Sequence, residues 1–352
     1  MENNNESALK DLNPNKIAIP IAVGLLAVLY LIFTSDNINF DRVLENLKNA
    51  KLWWIGAAFA VLLLRDLGYM YRIRYLTNRE LSWKSSLYTI LLWEFSSAIT
   101  PSVVGGTAVA IFIINKEGVA FGKSLAYVIL TAVLDNLFFV FASLFVIFFV
   151  PFSIFPDGNN TIVLAGYALS LQSIFTISVS LIAVYTFFMA FGLFVKPKAF
   201  RWMLIKLTSF RLFKRWEKDA AQTGDDMILA SEILRGNSLN YWSKAILSTI
   251  VVWSARYFML NCLIAAFADL NGANHLLIFC RQIIMWIIML ISPTPGSSGT
   301  AEWSFQLFFN EFFQSGFVLI VAILWRLITY YAYLIIGVVA VPRWLARVIK
   351  KN

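Results

Sequence analysis

Charged side chains are scarce in this sequence. Asp, Glu, Lys and Arg make up 14% of the 352 residues, and apolar residues make up 59%. Soluble domains have about 25% charged and about 45–50% apolar residues. Several of the apolar runs reach the ~20 residues that a helix needs to cross a hydrocarbon core. We therefore predict an all-α polytopic membrane protein.

Cysteine and histidine are also nearly absent. Cys262 and Cys280 both lie inside apolar runs, and His275 is the sole histidine. Without a Cys-x-x-C pair or a second histidine, neither a disulfide framework nor a metal site is predicted. The sequence has no Walker A, H-E-x-x-H or G-x-S-x-G pattern. We therefore predict no catalytic residues, no cofactor and no enzymatic activity.

Basic residues outnumber acidic ones and give a formal net charge of +9. They lie mostly between apolar runs, which is the positive-inside pattern of membrane proteins rather than a nucleic-acid surface. This pattern places the basic segments Arg72–Lys84, Lys196–Lys244 and Arg343–Lys351 in the cytoplasm. Both termini are then cytoplasmic, and the expected location is the bacterial inner (cytoplasmic) membrane.

Two polar stretches have amphipathic patterns. Phe40, Val43, Leu44 and Leu47 fall on one helical face, which predicts a helix lying in the membrane interface. Lys196–Lys218 interleaves eight basic residues with Trp, Phe and Leu. That composition favours contact with anionic headgroups, and the alternative is an ordinary cytoplasmic linker.

Two apolar stretches, 85–115 and 275–313, are interrupted by Thr100–Ala108 and Ile291–Trp303. Proline, glycine and hydroxyl residues at these breaks do not suit a continuous membrane helix. The charges that flank each stretch require it to enter the membrane and return on the same side. We therefore predict six full spans plus two opposed re-entrant broken hairpins.

The pattern divides the chain into seven parts. They are a disordered cytoplasmic tail (1–16), a first span with an interfacial helix (17–51), a first repeat half (52–150), a connecting span (151–195), a basic amphipathic linker (196–240), a second repeat half (241–341) and a basic cytoplasmic tail (342–352). Thr161–Val195 is too long for one upright helix, so either one span or a surface helix plus a span is open there.

The two halves resemble each other at their breaks. TPSVVGGTA contains Gly106-Thr107-Ala108, and TPGSSGTAE contains Gly299-Thr300-Ala301. At nearly the same offset, Arg65 in one span corresponds to Arg256 in another. A span, a broken hairpin and a span thus occur twice in opposite orientation. This predicts an inverted repeat, in which binding sites form where discontinuous helices meet.

The breaks and the ionisable residues within spans are the candidate site. Helix N-termini at the breaks favour anions such as phosphate, and arginine donates to phosphate in a fork. The alternatives are helix-packing kinks and internal salt bridges. Asp66 and Glu94 are further ionisable residues within spans. The predicted headgroup-binding residues are Arg65, Arg256, Arg281, Arg326, Gly105, Gly106, Thr107, Ser298, Gly299 and Thr300, and the predicted charge-coupling residues are Asp135 and Glu302.

The first break and the helix after it, TPSVVGGTAVAIFIINKEGVAFGKSLAYVILTAVLDN, together with PTPGSSGTAE, carry a family resemblance. They resemble the lysylphosphatidylglycerol synthase transmembrane, or flippase-like, family, the membrane half of the multiple peptide resistance factors. The resemblance implies movement of a phospholipid or lipid-linked headgroup between leaflets. The chain departs from the family in lacking the soluble aminoacyl-transferase half, which argues against synthase activity. It also has Thr107 and Leu134 where many members have an acidic residue and an arginine.

Three functions remain open from the sequence. The leading one is a flippase-like protein that translocates an anionic phospholipid or lipid-linked headgroup. The second is a secondary transporter of a small soluble anion, and the third is a non-transporting membrane scaffold or partner subunit. The expected partners are membrane lipids, mainly anionic, with a homo-oligomer or a separate lipid-modifying enzyme as further alternatives and no nucleic acid.

Overall fold

The structure, a computed structural model, describes residues 21–22, 26, 40–100, 103–150, 154–156, 161–164, 167–209, 214–290, 294, 297–313 and 317–349. The predicted tail 1–16 and nearly all of the predicted first span lie outside these residues. The α-helices are α1 (Phe40–Lys48), α2 (Leu52–Leu76), α3 (Trp83–Ile99), α4 (Val103–Lys116), α5 (Phe121–Phe149), α6 (Leu171–Ala190), α7 (Pro197–Thr208), α8 (Glu217–Leu234), α9 (Leu239–Ala265), α10 (Gly272–Leu290), α11 (Thr300–Phe309), α12 (Phe317–Arg326) and α13 (Ala332–Ile349).

Six helical segments of the described residues are long and apolar enough to cross a membrane. They are Leu52–Leu76, Phe121–Phe149, Leu171–Val195, Leu239–Ala265, Gly272–Met289 and Phe317–Val348. Two of them continue through π-helical turns, Phe191–Val195 after α6 and Leu327–Tyr331 between α12 and α13. The predicted class, an all-α polytopic membrane protein, is confirmed.

One of the six segments differs from the predicted topology. Gly272–Met289 was expected as one arm of a re-entrant hairpin, but α10 has 19 residues. At 1.5 Å per residue such a helix is about 28 Å long, close to the thickness of a hydrocarbon core. The second broken segment therefore has one arm that is long enough to cross, and the re-entrant course of both hairpins stays a prediction.

Thr161–Val195 begins as a small β-hairpin. Strands β1 (Thr161–Leu164) and β2 (Tyr167–Ser170) pair antiparallel, with Thr161 opposite Ser170. The hydroxyl of Ser170 then accepts the backbone N–H of Ser173 and caps α6. In the described residues of this segment, the two strands are followed by one helix that is long enough to cross the membrane, and no surface helix forms.

The predicted loop Arg72–Lys84 begins later than expected. Helix α2 continues to Leu76, so Arg72 lies within the helix and is buried. An arginine near the end of an apolar run is expected to lie in water, but Arg72 has hydrogen-bond partners inside the protein. The remaining basic linker, 196–240, folds mainly into α7 and α8.

Helices α2 and α9, the first helix of each half, pack antiparallel. At one end the Lys51 N–H donates to the Ala266 carbonyl at 2.9 Å. At the other end the Tyr241 hydroxyl donates to the Leu76 carbonyl at 3.0 Å. This antiparallel relation is the one that an inverted repeat requires, because equivalent helices of the two halves must run in opposite directions.

Gly68 allows α2 and α9 to approach closely. A Cβ at Gly68 would lie 2.6 Å from Val252 Cγ1, whereas a Cβ at Gly56 on the same helix would have no neighbour within 4 Å. We expect Gly68→Ala to overpack this contact and to lower the free energy of unfolding by about 1–3 kcal/mol. The measurement is the thermal denaturation midpoint of the purified protein in detergent.

The matched control is Gly56→Ala. Alanine is a better helix former than glycine by up to about 1 kcal/mol, so this variant should keep or raise the midpoint. Equal midpoints for the two variants would contradict a tight α2–α9 contact at Gly68.

Candidate functional site

A cavity of about 1040 Å³ lies between the two halves. Thr100 and Thr107 from the first break line it, and so do Thr294 and Ser297 from the second. Side chains from α2, α3, α5, α9 and α10 form most of the remaining wall. The two breaks thus border one space, which is the arrangement that the sequence predicts for them.

Tyr330 and Arg326 connect the two breaks directly. The Tyr330 hydroxyl donates to the carbonyl of Ala98, at the end of α3, at 3.0 Å. The guanidinium carbon of Arg326 lies 3.8 Å from the centre of the Tyr330 ring. Arg326 Nη2 also donates to Ser298 Oγ at 3.2 Å. A hydrogen bond, a cation–π contact and a second hydrogen bond therefore join the first break to the second.

The second break is organised around Glu302, whose side chain is fully buried. Its Oε1 accepts from Arg326 Nε at 3.0 Å, and its Oε2 accepts the Gly299 N–H at 2.7 Å. Gly299 has φ +85°, a conformation that favours glycine, and Thr300 begins α11 directly after it. The amide predicted to hold an external anion is therefore already bonded to the protein's own carboxylate.

The first break uses glycine for helix packing. A Cβ at Gly106 would lie 2.3 Å from Ser97 Oγ, so α3 and α4 approach closely there. Gly105 precedes it in α4, and Thr107 lines the cavity. Between Gly106 and Thr107, Thr107 is the residue that lines the cavity.

Glu94 lies between two arginines that correspond to each other in the two halves. Arg256 Nη2 donates to Glu94 Oε2 at 3.1 Å, and Arg65 Nη2 lies 3.7 Å from Glu94 Oε1. The two arginines differ in exposure, since the side chain of Arg65 is 1% exposed and that of Arg256 is 28% exposed. Arg256 lines the cavity, so it is the arginine of this pair that a ligand reaches directly.

Arg65 is held by two further groups. Its Nε and Nη2 donate to Asp66 Oδ1 at 2.9 and 2.7 Å, and Nη2 donates to the Tyr333 hydroxyl at 2.6 Å. That hydroxyl in turn donates to Asp66 Oδ2 at 2.6 Å. Adjacent residues on a helix point about 100° apart, so this pairing could not be assigned from the sequence.

Arg72 and Asp135 form a second ion pair on the cavity wall. Arg72 donates to both carboxylate oxygens, with Nη2 3.2 Å from Oδ2, and also to Thr249 Oγ1 at 3.3 Å. The Trp253 indole donates to Asp135 Oδ1 at 2.8 Å. The predicted charge-coupling residue Asp135 therefore orients an arginine that the sequence analysis had assigned to a loop.

A signal for Arg72 exists in the sequence. Arg65, Tyr69 and Arg72 follow an i, i+4, i+7 spacing, which places them on one face of a helix. All three side chains are buried. Extending the α2 assignment by one turn would have identified Arg72 as a second inward-facing arginine.

Arg281 lies apart from the ion pairs around the cavity. Its Nη1 donates to the Phe308 carbonyl at 2.7 Å and lies 3.0 Å from Glu311 Oε1, and its Nε donates to the Ile154 carbonyl at 3.1 Å. These contacts join α10 to the end of α11 and to a connecting segment. Arg281 does not line the cavity among the described residues, whereas its neighbour Gln282 does.

The basic linker 196–240 also reaches the cavity. Thr223, Asp226 and Met227 of α8 form part of its wall. Burial raises the pKa of the Asp226 carboxyl, a hydrogen bond from Gln222 opposes that rise, and the nearby Asp225 charge adds to it. The basic and amphipathic pattern of 196–240 predicts a linker and gives no sign that α8 lies beside the cavity.

Each of the four arginines in and beside the cavity has a carboxylate partner, and Asp226 is a further carboxylate in the cavity wall. Four arginines and four carboxylates pair around the cavity: Arg65, Arg72, Arg256 and Arg326 with Asp66, Glu94, Asp135 and Glu302. Charged groups in a low-dielectric interior need such partners. A ligand phosphate must therefore compete with an internal carboxylate, and Arg256 is the most exposed of the four arginines.

Comparison with known proteins agrees with this architecture. A family model described as the lysylphosphatidylglycerol synthase TM region matches residues 17–337. A UPF0104 membrane protein of Archaeoglobus fulgidus is 26% identical over 331 residues, which cover 92% of this chain and 95% of that protein. The similarity extends across both breaks and nearly all the described helices.

The Arg326–Glu302 pair gives a stability prediction. Glu302→Gln keeps an acceptor for the Gly299 N–H but leaves the buried Arg326 without its carboxylate. Breaking a buried pair costs about 3–5 kcal/mol, so the denaturation midpoint should fall clearly. The measurement is thermal denaturation in detergent.

The double variant Glu302→Gln/Arg326→Gln removes both charges and should be more stable than the single variant. Glu232 is exposed on α8, so Glu232→Gln is the matched control and should change stability by less than about 0.5 kcal/mol. A single variant as stable as this control would disprove an energetic role for the pair.

Proposed function

This chain belongs to the lysylphosphatidylglycerol synthase transmembrane-region family, and on that premise we propose that it is a flippase-like integral membrane protein. Its substrate is an anionic phospholipid or a lipid-linked headgroup, which it moves between leaflets. The family match and the multi-pass helices support handling of a lipid within the membrane. The chain acts as a transporter rather than as an enzyme, and its site is the central cavity.

The amphipathic cavity carries this proposal. Arg256 and Glu94 lie in one wall, and Trp286, Met285 and Phe139 give the wall an apolar part. A phospholipid has the same division into a charged headgroup and apolar tails. A small soluble anion would fill only a small part of a cavity of about 1040 Å³.

Helix α6 provides a route between this cavity and the lipid. Ile182 and Met189 line the cavity, whereas Leu181 and Val184 on the same helix are exposed, at 66% and 70%. A single helix therefore separates the cavity from the outer apolar surface. Movement of one helix is sufficient to admit a headgroup sideways while its tails stay in the bilayer.

In the proposed binding step, a headgroup phosphate replaces Glu94 as the partner of Arg256. When a headgroup phosphate takes a fork of hydrogen bonds from Arg256, Glu94 keeps Arg65 as its partner, 3.7 Å away. After this replacement Arg256 is paired with the phosphate and Glu94 is paired with Arg65, so both buried groups keep a counter-charge. Tyr257 lines the same wall, and its buried hydroxyl has no hydrogen-bond partner among the described residues, so a small rotation of the side chain would make it a further donor for the headgroup.

The other predicted residues take supporting roles in this proposal. Asp135 and Glu302 orient Arg72 and Arg326. Ser298 and Gly299 hold the second break through Arg326 and Glu302. Rocking of the two halves about the antiparallel α2–α9 contact gives alternating access. In a bacterial inner membrane with cytoplasmic termini, the cavity mouth beside α8 faces the cytoplasm.

Arg256→Ala tests the function. Hydrogen bonds to a charged group are worth about 1.5–3 kcal/mol, so the flip rate should fall by about 10- to 100-fold. The assay uses proteoliposomes that carry fluorescently labelled phosphatidylglycerol, with dithionite reduction of the label in the outer leaflet. Arg343 is exposed on α13, and Arg343→Ala is the control that should flip at the wild-type rate.

Wild-type protein that flips the label no faster than empty vesicles do would disprove this function for phosphatidylglycerol. Uptake of radioactive phosphate by the same vesicles, lost in Arg256→Ala, would then support the soluble-anion transporter. Wild-type protein that shows neither activity would favour the scaffold alternative.

A further inference from the structure

Helix α7 presents an unusual exposed face. Trp202, Met203 and Leu207 are 60%, 40% and 56% exposed, and Lys198 and Lys206 are exposed beside them. The Lys206 ammonium lies 4.7 Å from the centre of the Trp202 ring. A helix face that combines aromatic, aliphatic and basic side chains is typical of a membrane interface.

The position of α7 favours a lipid surface over a protein partner. Helix α6 continues through the π-helical turn Phe191–Val195, and α7 begins at Pro197, two residues later. Phe194 and Val195 in this turn are exposed, at 44% and 63%. The exposed apolar surface of a membrane-crossing helix therefore runs directly into the exposed face of α7, at the depth where α6 leaves the hydrocarbon.

Charge identifies the kind of lipid surface. Between Lys196 and Trp216 the sequence has seven basic residues and no acidic residue. Helix α8, which packs on α7, has five acidic residues and one basic residue between Glu217 and Leu234. An anionic surface attracts the segment Lys196–Trp216, which contains α7, and repels α8, so only one orientation of this helix pair suits it.

The inner face of α7 is fixed firmly to α8 and α6. Arg201 Nε lies 2.5 Å from Asp225 Oδ1, and a Cβ at Gly224 would lie within 3 Å of the Arg201 side chain. A Cβ at Gly192 would lie 2.6 Å from the ring of Phe200. Such close contacts allow little independent movement, so a displacement of α7 carries α8 with it.

Helix α8 in turn borders the central cavity. Its Thr223, Asp226 and Met227 line the wall, and its Leu229 packs on α5, where a Cβ at Gly122 would lie 2.8 Å away. The helix pair α7–α8 therefore has one side facing outward and the other side on the cavity. A contact that fixes the exposed face of α7 therefore also fixes the position of α8 at the cavity wall.

We propose that the exposed face of α7 is a docking surface for an anionic leaflet, and that its binding sets the position of α8 at the mouth of the cavity. The leaflet lipids bound here are distinct from any lipid carried in the cavity. The proposal does not depend on transport, because it concerns a surface and the helix attached to it.

The test places a fluorophore on the surface in the full-length protein. Met203→Cys, with Cys262 and Cys280 replaced by alanine, is labelled with an environment-sensitive dye. The protein is placed in nanodiscs of phosphatidylcholine, alone or mixed with phosphatidylglycerol. We expect a blue shift of emission that rises with the phosphatidylglycerol content and weakens at high salt.

Charge reversal provides the matched comparison. Lys198→Glu/Lys206→Glu should raise the phosphatidylglycerol fraction needed for the half-maximal shift by roughly fivefold or more for each lysine. Lys84→Glu/Lys244→Glu makes the same change of net charge at exposed residues away from α7 and should leave the shift unchanged. Emission that does not depend on phosphatidylglycerol, or that responds equally to both double variants, would overturn the docking surface.

A second label tests the coupling to the cavity. Thr223→Cys in the same background should react with a water-soluble maleimide at least twofold faster or slower when phosphatidylglycerol is present. Docking without any change at Thr223 would overturn the link to α8. Emission that shifts with soluble polyglutamate in phosphatidylcholine discs, but not with phosphatidylglycerol, would overturn the lipid surface in favour of an acidic protein.

Discussion

The pairing of buried arginines with buried carboxylates is the interaction on which the rest of this structure depends. An unpaired charge in a hydrocarbon environment is too costly to persist, and even a paired one needs well-placed hydrogen bonds. Arg65, Arg72, Arg256 and Arg326 each have a carboxylate partner within 4 Å. The Arg256–Glu94 pair joins the two halves, whereas Arg72–Asp135 and Arg326–Glu302 each join two helices of one half beside the cavity.

Glu94 differs from the other carboxylates because it contacts an arginine from each half. The corresponding arginines of the repeat meet at this one carboxylate, close to where α2 and α9 cross. Their unequal exposure shows that the two halves are not in the same environment in this conformation. In the proposed alternating-access transport, the other state would exchange the roles of the two halves and of these two arginines.

Much of the fold follows from patterns along the chain. The length and composition of the apolar runs correctly placed the helices Leu52–Leu76, Phe121–Phe149, Leu239–Ala265 and Phe317–Val348. The proline and glycine of both breaks predicted where the helices are interrupted, although α4 begins at Val103 and so includes most of the predicted first break, Thr100–Ala108. The course of α10 and the strands at Thr161–Ser170 were not foreseen, because hydropathy measures the cost of burial and says little about hydrogen-bond geometry over short segments. Arg72 was missed for a related reason, since a polar residue at the end of an apolar run is assigned to water unless its partner is known.

The sequence by itself determined that this chain is a helical membrane protein, and it predicted two similar halves that are each interrupted by a glycine-containing break. Those properties depend on composition and periodicity, which are local. Only the tertiary structure decided which charged side chains form pairs. It also decided that Glu302 accepts a hydrogen bond from the Gly299 amide of its own break, and that α8 borders the cavity. These outcomes depend on which helix faces lie within a few ångströms of one another. No pattern along one segment encodes that distance, because the partner belongs to another segment.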